Sequence, residues 1–405
     1  MTKQMTFKMT GRLTLQGRKY EKSHPWLRFS VDLQDALPQF WIMLGECKSK
    51  CENISGVPLR PDIAKILNEA YLAKGAWGTT AIEGNTLSEE EVLQHVQGKL
   101  DLAPGKEYLK QEIDNIIQES NRMLDRLSDQ DFPVLSVERI KEINKIVLNG
   151  LQLGEEVVPG EIRGHSVGVM NYRGAPAEDC GYLLVRLCDW LNSSDFEPKA
   201  GLERLHMGIL KAIIAHLYIE WIHAFGDGNG RTGRLIEVQV LLSSGIPSPA
   251  CHLLSDHYNL TRKDYLSQLR AASESGGDTV PFISYALKGL LEGLKGQLAY
   301  IRRLHMEVAW LNFVHEFFLH KPGKAADRQK KLLIDIFEKE SPVLISEIDQ
   351  ISPKLAKVYA KMNARTIYRD VEALEKSGLL IREGKAVRAN RALIASFLPL
   401  KAVIE

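Results

Sequence analysis

The chain has 405 residues, of which 44% are hydrophobic and 25% charged, with a formal net charge of +1. That length exceeds one ordinary core and sets two or three domains as the expectation, while the near-neutral charge excludes a global bias toward nucleic acid or acidic membranes. Met1–Tyr20 holds no apolar core of signal-peptide length and no run of 18 apolar residues occurs, so neither a signal peptide nor a membrane span is expected.

The charge is uneven. Residues 323–405 carry 16 Lys+Arg against 11 Asp+Glu, and the remainder 36 against 40. A mildly basic C-terminal part points toward nucleic-acid contact. The five cysteines (Cys47, Cys51, Cys180, Cys188 and Cys251) are odd in number within a long chain, which fits reduced thiols and a cytoplasmic location. Cys47 and Cys51 can share a helix face, but no C-x-x-C pair accompanies them, which argues against zinc.

In chain order, residues 1–27 read as a poorly structured arm, and Ala36 to Cys51 as an apolar helix. Residues 61–76 are helical, with Ile63, Ile66, Leu67 and Ala70 at spacings of three and four. A second helix begins near Ser88, an N-cap followed by Glu89-Glu90-Glu91, whose charges suit the helix dipole. Residues 137–151 give another stripe through Val137, Ile140, Ile143 and Val147. From Gly154 to Glu178 glycine and proline dominate, and Ser166 to Tyr172 reads as a short extended hairpin. Helices resume over 181–191. Residues 202–222 are apolar nearly all round, the signature of a buried central helix, with His206 and His216 as core residues. This helix runs directly into a glycine-rich loop, and an apolar helical run follows from Leu235 to Leu242. Residues 279–320 are helical, and Lys321-Pro322-Gly323-Lys324 marks a boundary.

The loop 223–234 reads His-Ala-Phe-Gly-Asp-Gly-Asn-Gly-Arg-Thr-Gly-Arg. Gly228 and Gly230 let backbone N–H groups approach an anion with no Cβ in the way. The N-terminus of the following helix favours phosphate oxygens at the same place. Arg231 and Arg234 can donate charge-assisted hydrogen bonds to phosphates, and Asp227 is a hard oxygen ligand suited to Mg²⁺. His223, at the end of the buried helix, has the pKa range of a general base.

At these residues the sequence resembles the Fic (filamentation) family, whose motif is H-P-F-x-D/E-G-N-G-R-x-x-R. His223, Phe225, Asp227, Gly228, Asn229, Gly230, Arg231 and Arg234 match, and Ala224 departs from the usual proline. Thr79-Thr80-Ala81-Ile82-Glu83-Gly84-Asn85 resembles the family's inhibitory motif, S/T-x-x-x-E-G. Arg163 to Met170 is similar to its β-hairpin flap, which clamps a target segment as an added strand. Tyr265 lies where the family places an aromatic beside the adenine, while Leu266 and Ser273 depart from residues often seen nearby. The resemblance covers about residues 30–300.

The resemblance implies transfer of AMP from ATP to a Ser, Thr or Tyr hydroxyl of a protein, with self-modification among the products. His223 would be the catalytic base, Asp227 the Mg²⁺ ligand, and Thr79 with Glu83 the inhibitory residues. Nucleotide contacts are implied for Glu83, for Val167, Gly168, Val169 and Met170 of the flap, for Asp227, Gly228, Asn229, Gly230, Arg231, Thr232, Gly233 and Arg234, and for Tyr265.

Beyond Lys324 the order is a helix (329–339), a short helix (345–351), a longer helix from Asn363, and a β-wing over Leu379 to Ala389 turning at Glu383-Gly384. That order resembles a winged helix-turn-helix. Ile367, Val371 and Leu374 form the buried stripe of the third helix, leaving Arg365, Thr366, Tyr368 and Arg369 to face outward, where recognition helices read base edges and where other winged helices bind protein.

The expected fold is therefore mainly α: a Fic-type helical bundle with a short β-hairpin flap, plus a C-terminal winged helix. The expected domains are an N-terminal arm and helix (1–60), a catalytic domain (61–300), a helical linker (301–323) and the winged helix (324–405). The further partners this reading allows are duplex DNA and a second copy in a homodimer, with no membrane. The competing function is a DNA-binding regulator whose Fic domain senses nucleotide with little turnover.

Overall fold

The computed structural model describes residues 17–99, 105–129, 134–169, 172–199 and 201–395. The chain divides into two compact units, Met1–Gln297 and Leu298–Glu405. Both are mainly helical.

In the first unit the elements are α1 (Lys19–Ser23), α2 (Pro38–Ser55), α3 (Pro61–Ile82), α4 (Glu89–Val96), α5 (Glu107–Ser128), α6 (Val137–Val147), the strands β1 (Gly168–Val169) and β2 (Tyr172–Arg173), α7 (Ala177–Leu191), α8 (Arg204–Ile222), α9 (Asn229–Ser243), α10 (Ser248–Cys251), α11 (Leu253–Leu260) and α12 (Arg262–Glu274). The long helix α13 (Val280–Phe318) starts in this unit. Helix α8 is its axis: Ile209, Ile213, Leu217 and Ile222 are buried on every side of it. By length and composition α8 could cross a membrane, but 83% of its apolar window is buried inside the protein, as in a core helix.

Helix α4 starts as the sequence predicts. The Ser88 side chain accepts the Glu91 N–H, and the Glu91 carboxylate accepts the Ser88 N–H at 2.7 Å, a reciprocal capping box. Helix α5 is not among the predicted elements, although Leu109, Ile113, Ile116 and Met123 form its buried stripe. Helix α7 begins four residues before the predicted start, and α9 begins inside the glycine-rich loop. All five cysteines are free and buried.

The described part of the N-terminal arm corrects the expectation of a loose segment. Tyr20, His24, Leu27 and Phe29 are buried. The Tyr20 N–H donates to Asp179 at 2.9 Å, Arg18 pairs with the same carboxylate, and the Phe29 N–H donates to the Tyr218 hydroxyl. Its apolar anchors recur at irregular intervals, so periodicity does not reveal them.

The second unit contains the later part of α13, then α14 (Lys324–Phe337), β3 (Val343–Leu344), α15 (Pro353–Tyr359), α16 (Ala364–Lys376), β4 (Leu380–Glu383) and β5 (Ala386–Ala389). A 3-10 turn (Ile345–Gln350) occupies the place of the predicted short helix, and α15 is an addition to the predicted elements. The strands form an antiparallel sheet in the order β3-β5-β4, with Val343 opposite Val387 and Leu380 opposite Ala389. Trp310, Val314 and Phe318 of α13 lie in one core with Leu333, Ile336, Val371 and Leu374. Residues 301–323 are therefore not a separate linker: most of them belong to α13, which helps build this unit.

Asp370 of α16 is the polar centre of this core. It accepts from Arg328, from Gln329 at 3.2 Å and from the Tyr359 hydroxyl at 3.0 Å, and is 2% exposed. Asp370→Ala leaves the half-buried Arg328 without its carboxylate. The expected outcome is a loss of about 3 kcal/mol in the unfolding transition of this unit, measured by urea denaturation of the full chain. An unchanged midpoint would mean that the network adds nothing to stability.

Candidate active site

The site is built where α8 turns into α9. His223 ends α8 with φ 49° and ψ 56°, a left-handed conformation that costs a non-glycine residue about 1 kcal/mol or more. Its surroundings fix it there. Its N–H donates to the Ile219 carbonyl, and its own carbonyl accepts from Arg163 Nε at 2.7 Å. The buried Arg163 also donates to the carbonyls of His165 and Ala175, and its backbone N–H donates to the Ala224 carbonyl at 3.0 Å. One arginine thus fastens the 163–175 segment to the loop. Among the described hydrogen bonds the Ala224 N–H donates none, so alanine and proline are equivalent here in backbone bonding.

Asn229 closes the loop on itself. Its amide donates to the Phe225 carbonyl at 2.8 Å and accepts the Phe225 N–H at 2.9 Å. Its side chain is therefore engaged by the loop, which leaves its backbone N–H as the group able to meet a phosphate. Gly228, with φ 74°, is the N-cap of α9, a conformation open to glycine at no steric cost. Asn144 of α6 supports the loop from below, donating to the Asp227 carbonyl at 3.0 Å and the Thr232 hydroxyl at 3.2 Å. Sequence reasoning missed Asn144 and Arg163; a polar residue on the apolar stripe of Ile140, Ile143 and Val147 was the available signal for the first.

The N–H groups of Asn229, Gly230 and Arg231 have no partner among the described hydrogen bonds, as at an open helix start. Two arginines flank them. Arg231 donates to Glu112 Oε1 at 3.1 Å and Asp227 Oδ1 at 3.2 Å. Arg234, 1% exposed, donates to the Thr79 hydroxyl at 2.7 Å, to the Thr79 carbonyl at 3.1 Å and to Glu83 Oε1 at 2.5 Å. A Cβ built at Gly230 would lie 2.3 Å from that Glu83 oxygen, so the carboxylate rests directly on the first turn of α9.

Glu83 reaches this place from the end of α3. The Gly84 N–H donates to the Ala81 carbonyl and the Asn85 N–H to the Thr80 carbonyl, the paired bonds of a Schellman turn, with Gly84 at φ 103°. The Asn85 amide donates to the Leu109 carbonyl and to Glu112 Oε2 at 2.8 Å, so Glu112 joins this turn to Arg231.

These charges set the titration of the site. Burial opposes ionisation of Glu83, but the Arg234 guanidinium, helped by Arg231 and His223, outweighs it and holds the carboxyl below its usual range. Burial pushes the His223 imidazole down to about 4, and Arg163 adds to the fall; a hydrogen bond with the Glu220 backbone and the charges of Glu83 and Asp227 act in the other direction. His223 is thus neutral at pH 7, the state a general base needs. Burial pushes the carboxyl of Glu220, another residue missed in the sequence, up to about 7.

The remaining expected site residues separate. Thr232 is fully buried against Asn144, and Gly233 packs α9 onto α8 at His216, so both build the fold rather than face a ligand. Tyr265 is 1% exposed, hydrogen-bonded to His216 at 3.0 Å and stacked on Tyr258 at 4.7 Å. Its ring belongs to the core. In the hairpin, Gly168 pairs with Arg173 and Val169 with Tyr172, and the Val167 carbonyl accepts the Gly174 N–H. Met170 lies outside the described residues. In the second unit Arg365, Tyr368 and Arg369 are exposed on α16 and Thr366 is half-buried, with Ile367, Val371 and Leu374 turned inward. Among the described residues no group of three His, Cys, Asp or Glu is arranged to hold a metal ion.

The profile of the Fic/DOC family matches residues 134–241. Protein adenylyltransferase fic-1 of Caenorhabditis briggsae is 28% identical over 227 residues, covering 56% of this chain and 41% of that protein. Protein adenylyltransferase Fic of Nematostella vectensis is 27% identical over 247 residues, covering 61% of this chain and 53% of that protein. The chain thus spans about half the length of the curated relatives it matches. Among solved structures, a Fic family protein from Desulfovibrio desulfuricans shares the fold with a TM-score of 0.55 at 18% identity, over 89% of this chain and 98% of that one. Fic-1 of Caenorhabditis elegans gives a TM-score of 0.52 at 25% identity, over 65% of this chain and 73% of that one. The loop from His223 to Arg234 lies within the stretch that matches the Fic/DOC family.

Proposed function

We propose that this protein transfers the AMP part of ATP to a Ser, Thr or Tyr hydroxyl of a protein, itself included, and that Glu83 holds the transfer in check. One observation carries the reading. The Glu83 carboxylate lies on Arg234 at the first turn of α9, beside three unpaired N–H groups and Arg231. A helix start that binds anions is already filled by a tethered carboxylate, which a nucleotide phosphate must displace. The names of the relatives support the reaction class.

In the transfer the target hydroxyl lies beside His223, and its outer strand edge is β1 of the hairpin, to which a target segment adds. His223 takes the hydroxyl proton. The oxygen attacks the α-phosphorus in line, the bond to the pyrophosphate oxygen breaks, and pyrophosphate leaves. The first-turn N–H groups and Arg231 hold phosphate oxygens, and Arg234, once free of Glu83, takes the γ-phosphate. ATP arrives as its Mg²⁺ complex. Asp227 fits that substrate: its side chain is 48% exposed, only Oδ1 is hydrogen-bonded, and a single carboxylate suits a cation that keeps phosphate and water ligands.

A second reading keeps the enzyme as a nucleotide sensor attached to a DNA-binding regulator. We read the C-terminal unit as a winged helix whose α16 enters the major groove, supported by the exposed Arg365, Tyr368 and Arg369 and by the β4–β5 hairpin. ATP labelled at the α-phosphate separates the readings, since only a transferase moves that label to protein.

His223→Ala is expected to abolish label transfer while ATP affinity stays within about tenfold, because the base acts on the target hydroxyl. Undiminished self-labelling by this variant would remove His223 from the chemistry.

Glu83→Gly is expected to raise self-labelling by more than about tenfold, the release of a bias of ~1.4 kcal/mol or more. The double variant with Arg234→Ala should lose the gain, because the freed arginine is its source. Equal labelling by wild type and Glu83→Gly would show that Glu83 is no brake.

The full chain is expected to bind duplex DNA with an affinity that falls steeply with salt, and Arg365→Ala with Arg369→Ala should weaken binding and flatten the salt dependence. A mobility-shift titration at low salt that detects no complex would turn the C-terminal unit into a protein-binding module.

A further inference from the structure

Glu220 sits on the last turn of α8, and its place is not explained by the fold. Its side chain is 14% exposed, and Oε1 is buried with no hydrogen-bond partner. A buried carboxyl oxygen without a partner is costly, so a native structure keeps one only for a reason. Its other oxygen lies 4.0 Å from His223 Nδ1, on the side of the ring away from a reacting Nε2. Oε1 lies 3.6 Å from a Cβ built at Gly233, at the α8–α9 contact beside Arg234. The charged or titratable groups that act on its carboxyl or feel it come from several elements: Arg234 and Glu237 on α9, Glu83 at the end of α3, Tyr172 on β2 and Tyr265 on α12. His223, on its own turn, faces that carboxyl at 4.0 Å and hydrogen-bonds the Glu220 backbone.

Two carboxyls therefore act on Arg234, Glu83 and Glu220. In this structure Glu83 makes the ion pair with Arg234, while Glu220 has Oε1 without a partner and Oε2 4.0 Å from the neutral His223 ring. Like charges close together in a low dielectric discourage each other's ionisation. We propose that Glu220 is a positioning residue of the transfer reaction: when Glu83 leaves Arg234, Glu220 releases its proton to solvent, and the resulting carboxylate orients His223 from the Nδ1 side and balances the imidazolium formed as His223 takes the target's proton. The proton passes from the target hydroxyl to Nε2, the new oxygen–phosphorus bond replaces the one to pyrophosphate, and Glu220 itself gains no proton. Burial disfavours a charged His223, so a nearby carboxylate lowers the barrier where the charge develops.

This inference rests on the transferase reading, and its test separates the two. In the Glu83→Gly background, Glu220→Gln is expected to cut the rate of α-label transfer by more than about tenfold while the Michaelis constant for ATP changes by less than about twofold. The acid limb of the rate should also move to lower pH, because the carboxylate that supports the imidazolium is gone. In parallel, NMR titration of the His223 imidazole in both variants reads the coupling without catalysis: Glu220→Gln should lower its pKa. Lack of label transfer by Glu83→Gly itself overturns the transferase reading, while the NMR shift still decides the coupling. An unchanged rate and pH profile, an unchanged His223 pKa, or a loss confined to the ATP Michaelis constant would overturn the proposal for Glu220. Thermal unfolding of each variant keeps a folding defect from passing as any of these.

Discussion

The guanidinium of Arg234 is the constraint around which the first unit is arranged. It is 1% exposed and, like any arginine, it keeps its proton when buried. Stranding such a charge costs of order 3–5 kcal/mol. The Thr79 hydroxyl and carbonyl satisfy part of it, but they carry no net charge. An anion is therefore required at the start of α9, and the structure supplies Glu83. The free N–H groups of the first turn and the absent side chain at Gly230 make that place equally suited to a phosphate. In the proposed transfer, rest and activity would differ in which anion Arg234 holds, not in whether it holds one.

The rest of the loop exists to keep this helix start open. A left-handed histidine, a left-handed glycine and a sharp reversal between two buried helices are unfavourable in isolation. Arg163, Asn144 and Asn229 hold them with side-chain bonds to backbone carbonyls and N–H groups rather than to each other. That division explains why the Asn229 side chain serves the loop's shape. It also leaves Asp227, 48% exposed, as the loop's outward carboxylate.

Much of this was legible in the sequence, and for identifiable reasons. The all-round apolar run at 202–222 marks a helix covered on every side, and Ser88 with Glu91 marks a capping box; both are local signals. His223, Arg234, Thr79 and Glu83 were found through motifs that fix residue types at fixed spacing, and the structure brings these four residues into one site. The misses were of another kind. Arg163 and Asn144 act at separations of 60 and 83 residues from the groups they hold, which no local pattern records. Tyr265 was placed beside an adenine by the family resemblance, and the structure shows what that resemblance does not, its hydroxyl bonded to His216 and its face stacked on Tyr258. The 1–27 arm was read as loose, and in its described part Tyr20, His24 and Leu27 are buried at irregular spacing that looks like loop composition. The linker at 301–323 vanished because α13 runs through it and delivers Trp310 to the second core.

The place of Glu83 on its helix bears on how it can act. It is the C-cap of α3, where the helix dipole presents its negative end, so a carboxylate is disfavoured there by its own helix. The facing N-terminus of α9 and Arg234 supply the attraction that overcomes this. The ion pair is thus held by its partner and not by its own element. Its last turn is closed by the Gly84 and Asn85 N–H bonds, and terminal turns open at small free-energy cost compared with global unfolding. What resists opening is the Asn85 amide, fastened to the Leu109 carbonyl and to Glu112. Glu112 also holds Arg231, so the carboxylate that steadies the turn is engaged with the second arginine of the helix start. In the proposed transfer, a nucleotide that draws Arg231 toward its phosphates would weaken the support of the turn as well as compete for Arg234. On that reading, binding at the helix start and loosening of Glu83 would be one coupled event, carried by side chains that touch.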